Sequence, residues 1–141
     1  MVTGRTELDT AAGTPSGGRT VAPAIAVAAD VAAVVAFVLI GRRSHAESDS
    51  VSGLFHTAWP FLVGVLIGWL VARGWRAPAS IRTTGVFVWL ACAAVGMLLR
   101  ALSGQGVAVS FVVVATIVLG VFIVGWRLAT LLAVRRRDRR L

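Results

Sequence analysis

Four long apolar runs, at about residues 22–40, 54–72, 83–100 and 108–128, make up most of the chain, with short polar stretches between them. At about 1.5 Å per residue each run reaches roughly 27–32 Å, the thickness of a bilayer's hydrocarbon core. None alternates apolar and polar residues as a half-buried strand does. In lipid, a spanning segment must satisfy its own backbone hydrogen bonds, so each run is expected to be a helix. The expected fold is all-α: an integral membrane four-helix bundle of two consecutive helical hairpins, spanning residues 22–134.

Within the runs, particular residues suggest how the helices meet. Pro23 suits the first turn of span one, where Ala28, Ala32 and Ala36 recur at four-residue spacing. Such a row lets a second helix approach closely in lipid, although alanine is abundant here in any case. Span two has Trp59 as an interfacial anchor and Pro60 in its first turns. Gly64 and Gly68 give it a GxxxG spacing, a candidate close-packing face. Gly104 and Gly106 supply the turn before span four, whose apolar character runs on to Val134, with Arg127 marking the interface. The run GVLIGW from Gly64 to Trp69 has an echo in GVFIVGW from Gly120 to Trp126. Either the hairpin is duplicated or two glycine-rich apolar segments are alike by chance, and chance is the simpler reading.

Residues 1–21 read as a disordered cytoplasmic tail, rich in Thr, Gly and Ala, and residues 135–141 as a solvated polybasic cytoplasmic tail. A cleaved signal peptide fits poorly. The first apolar run is too long, Glu7 and Asp9 precede it, and arginines follow it in place of a cleavage site.

Composition strengthens the membrane reading. Apolar residues make up 57% of the chain and charged ones only 14%, well below the quarter expected of a soluble domain. The net charge of +8 comes entirely from arginine. Because the arginines flank spans and do not line one soluble face, their expected partner is a bilayer with anionic headgroups, not nucleic acid. Eleven fall on the side of the two termini and the second loop, against three (Arg42, Arg43 and Arg100) on the other. The positive-inside rule then places both termini in the cytoplasm, in a multi-pass protein of the plasma membrane. Cys92 stands alone in an apolar run, so it excludes an intrachain disulfide.

No catalytic motif is present, and no enzyme activity or cofactor is expected. His45 and His56, with Glu47 and Asp49, do not have the spacing of a zinc set, so no metal is expected. The most informative polar residue is Asp30, in the middle of span one and too short to snorkel. It should face the bundle interior, with Thr116 as its nearest hydrogen-bond candidate by depth. Arg42, Ser44, His45, Arg100 and Ser110 should form one polar cluster at the outer rim, centred on Arg100. Trp69, Trp126 and Arg127 lie at the inner rim. Snorkelling to lipid phosphates would account for each rim arginine taken alone.

These residues resemble a family of small bacterial and archaeal four-span membrane proteins, domain of unknown function 3054. The resemblance covers about Asp30 to Arg127. It rests on Asp30, on Gly41-Arg42 with Ser44-His45, on Trp59-Pro60-Phe61 and on Gly68-Trp69. Trp89, Gly96-Met97 with Arg100, Ser110-Phe111 and Gly125-Trp126-Arg127 complete it. It implies four spans and directs attention to the same polar residues, but brings no activity, ligand or partner.

Two functional readings follow. An acid between two charged, aromatic rims would suit a small transporter-like or channel-like component, acting as a homo-oligomer because four spans leave little room for a private pathway. The alternative is a non-transporting membrane subunit, assembly factor or lipid-contacting scaffold.

Overall fold

The computed structural model describes residues 21–44 and 50–141, leaving aside the side chain of Ser44. The expectations for the N-terminal tail and for His45 fall outside these residues. Four helices, α1 (Pro23–Ser44), α2 (Val51–Ala72), α3 (Val86–Leu102) and α4 (Val109–Asp138), form the bundle. Each is long and apolar enough to cross a membrane, α3 when counted with the turns that lead into it. The protein is a multi-pass membrane protein. Neighbours in sequence are neighbours in space, and α1 closes the ring against α4.

The helices reach further than their apolar runs. α1 continues through Gly41, Arg42 and Arg43 to Ser44. α2 begins three residues before Leu54, where the Ser50 side chain accepts from the Gly53 N–H and satisfies one of the orphan donors of a helix start. Pro60 is therefore in mid-helix and not in the first turns. α4 stays helical through Arg135, Arg136 and Arg137. Between α2 and α3, a 3-10 turn (Gly74–Arg76) is followed by a π-helical turn (Ile81–Gly85), in which the Gly85 N–H bonds to the Ser80 carbonyl.

Glycine sets the closest contact. A Cβ at Gly64 would lie 2.7 Å from the Cα of Cys92, and one at Gly68 would lie 2.6 Å from the Cα of Val88. Neither distance is attainable, so α2 and α3 touch backbone to backbone along the GxxxG row, as its spacing suggested. Gly96 receives the ring of Phe61, and Gly120 the indole of Trp89, whose N–H donates to the Thr116 carbonyl. Phe37, Phe61 and Phe111 join α1, α2 and α4, with Phe37 and Phe61 edge to face at 5.4 Å.

Candidate functional site

Asp30 lies about seven residues into α1, roughly 10 Å from its start, and Arg127 lies about eight residues before Arg135 on α4. The two helices run antiparallel: early α1 meets late α4 at Asp30 and Arg127, and Phe37 meets Phe111 further along. Side chains on a helix lean toward its N-terminus. On antiparallel neighbours the two leans point in opposite directions, so Asp30 and Arg127 close the gap in depth between their backbones. Arg127 Nη1 is 2.7 Å from Asp30 Oδ1 and Nη2 is 2.8 Å from Oδ2, a two-pronged ion pair with both side chains fully buried.

The carboxylate accepts two further bonds. Trp69 Nε1 of α2 donates to Oδ2 at 2.8 Å, and Trp126 Nε1 of α4 donates to Oδ1 at 2.9 Å. Each oxygen thus holds two donors, which fills the four lone-pair positions of an ionised carboxylate. The guanidinium is equally well placed. Nε donates to the Pro78 carbonyl at 3.1 Å, and Nη1 donates to the Ile123 carbonyl one turn back, at 2.8 Å. Its carbon stands 4.4 Å from the Trp126 ring centroid, in cation–π range.

Glycines make room for this constellation. A Cβ at Gly85 would come within 2.9 Å of Arg127 Cδ, and one at Gly74 within 2.5 Å of the Trp69 ring. The connection between α2 and α3 can therefore lie directly on both side chains. Thr84, itself buried, ties that connection down by donating to the Ala77 carbonyl at 2.7 Å. Four chain segments thus converge on one carboxylate and its counter-charge, and both side chains are fully buried.

Thr116 is not part of it. Its hydroxyl donates to the Val112 carbonyl in its own helix, as threonine hydroxyls readily do to the preceding turn.

At the other end of the bundle the polar residues stay apart from this pair. Arg42 Nη1 meets the Thr57 hydroxyl at 3.3 Å and lies over Gly53. Arg100 donates to Gln105 Oε1 at 2.9 Å and to the carbonyls of Gln105 and Gly106, and stands over the Phe111 ring at 4.6 Å. Gln105 Nε2 in turn donates to the His56 carbonyl at 3.0 Å. That carbonyl is the one Pro60, lacking an N–H, leaves without its helical partner. Ser110 is exposed in the first turn of α4, and Trp59 is at the edge of exposure on α2.

Sequence reasoning singled out Asp30, Arg127, Trp69 and Trp126 but did not join them, and it missed Pro78, Gly85, Thr57 and Gln105. The echo was the available signal for the tryptophans: its two copies deliver one indole to each oxygen of Asp30. For Gln105 the signal was Pro60, since a mid-helix proline leaves a carbonyl four residues back in need of a donor.

No curated protein and no solved structure shows significant similarity to the chain. One family model matches residues 27–130, which include all four partners of the buried network, Asp30, Trp69, Trp126 and Arg127. The chain thus belongs to the family described as "Protein of unknown function (DUF3054)".

Proposed function

We propose that the protein is a non-catalytic, non-transporting membrane component, a structural subunit or assembly scaffold, with anionic lipid headgroups among its partners. The observation that supports this best is the saturation of Asp30. A coupling acid must exchange a proton or an ion during its cycle. Here all four acceptor positions are occupied by three residues from α2 and α4, and both charges are fully buried. Opening the pair leaves an uncompensated buried charge, which costs about 3–5 kcal/mol. The carrier reading has one point in its favour, that an acid and a base sit at membrane depth, where transporters hold functional charges.

Reconstitution into vesicles that report proton and anion flux separates the two. Wild-type protein is expected to leak no more than lipid alone. Flux above that level, lost in a folded Asp30→Asn variant, would make the carrier reading correct. In the same proposal the protein resides in the plasma membrane with both termini cytoplasmic, because most of its arginines flank that end. In a Cys92→Ser background, a cysteine at Ser103 should react with an impermeant reagent on whole cells and one at Leu141 should not; the reverse pattern reverses the orientation.

A further inference from the structure

Beyond Arg127, α4 continues for about eleven residues without packing into the bundle core. Two features of this region meet. An apolar groove of about 500 Å³ runs between α1 and α4, floored by small residues including Ala32, Ala36 and Gly125 and ending at Ala129. Below it the path continues down one exposed face of α4, through Ala129, Leu132 and Ala133 to Arg136 and Arg137, with Arg140 just past the helix end. Ala129 lines both. From Val121 to Arg137 the combined path follows about sixteen residues of α4, roughly 24 Å along the axis. Its first part is apolar and lies in the spanning region, and its last part is basic and exposed.

We propose that this groove seats one anionic phospholipid. The acyl chain lies on the small-residue floor between α1 and α4, and the phosphate is held by Arg136, Arg137 and Arg140. Charge and polarity both select this occupant. An apolar peptide helix would fill the upper groove but give the arginines no counter-charge. A free phosphate would satisfy the arginines but leave the apolar floor to other chains. Guanidinium groups suit phosphate because their planar forks donate in pairs. The arrangement is directional: Arg136, in the last turn of α4, and Arg140, two residues past its end, share this face, whereas Arg135 and Arg139 do not line it. This deepens the scaffold reading by naming a lipid class and a place for it, and it rests on that reading's assignment of the arginines to the leaflet surface.

The test is native mass spectrometry of the full chain released from detergent micelles, titrated with phosphatidylglycerol or phosphatidylcholine. Phosphatidylglycerol should bind at least about tenfold more tightly. Arg136→Gln/Arg140→Gln should remove most of that preference, and Arg135→Gln/Arg139→Gln, with the same change of charge, should keep it. Ala32→Leu/Gly125→Leu fills the floor and should weaken both lipids alike. Equal loss in the two arginine pairs would mean unspecific surface charge and would overturn the seat, leaving the scaffold reading intact. Full competition by millimolar inorganic phosphate would replace the lipid by a free anion. Dimers in place of lipid adducts, abolished by the floor variant, would assign the groove to a second copy of the chain.

Discussion

The two ends of the bundle hold their arginines by different physics. At the end carrying Pro23 and Asp138, Arg127 is fully buried and faces a carboxylate across two short bonds. At the other end, Arg100 is half-buried and bonds to neutral oxygens of Gln105 and Gly106. A buried charge must be fully paired or it destabilises the fold, whereas a partly exposed one can share its donors with water and headgroups. The first arrangement is therefore all-or-none, and the second tolerates loss. It follows that the Asp30 end fixes which helices adjoin, and that the Gln105 end trims the connections.

That contrast is tested most severely by breaking one side of the ion pair. Arg127→Met or Asp30→Asn should each destabilise the folded bundle by about 3–5 kcal/mol, measured by denaturant titration in mixed micelles. A loss below about 1 kcal/mol would place Arg127 with the arginines of the other end.

Gly68→Leu comes next. It acts between the two ends, where the Cα of Val88 leaves no room for a side chain. A loss of about 1–3 kcal/mol is expected, or separation of α2 from α3, read as slower disulfide crosslinking between cysteines placed on the two helices or as faster hydrogen exchange along α3. Unchanged stability would mean that the helices are not in backbone contact.

The tryptophans sharpen the comparison. Trp69→Phe and Trp126→Phe each remove one donor from the same carboxylate while keeping an aromatic ring. About 1–2 kcal/mol is expected for each, with Trp126 the larger because its ring also faces the Arg127 guanidinium. If neither variant changes stability, the carboxylate is not held by the indoles.

Gln105→Ala should have the smallest effect, about 0.6 kcal/mol, the typical value for a hydrogen bond in a membrane protein. The His56 carbonyl and Arg100 lose a partner near the surface, where water can substitute. A loss comparable to that of Arg127→Met would erase the distinction between the ends.

Much of this fold was legible in the sequence because lipid imposes a simple rule: apolar runs of spanning length must be helices. The Gly64–Gly68 row was legible for a similar reason, as only small residues allow backbone contact. What depth counting missed was side-chain reach. Counted from backbone positions, Asp30 lies near mid-span and Arg127 at the rim, and Thr116 is the better match. The long arginine stem and the opposed leans of antiparallel helices carry Arg127 to the acid instead. Thr116 is taken up by its own helix. The Pro78 carbonyl was invisible for a different reason, since a backbone acceptor in an irregular connection has no residue-type signature. The polar residues after Ile40 suggested a loop, but lipid hydropathy marks where a span ends and not where its helix ends, and α1 continues to Ser44.

The central claim is that Asp30 and Arg127 act as one closed unit. A double-mutant cycle with Asp30→Asn and Arg127→Met, followed by denaturant titration in mixed micelles, measures that directly. The account predicts that the double variant is much less destabilised than the sum of the singles, with a coupling of about 2–3 kcal/mol, because removing both charges leaves neither unpaired. Additive losses, with coupling below about 0.5 kcal/mol, would contradict it.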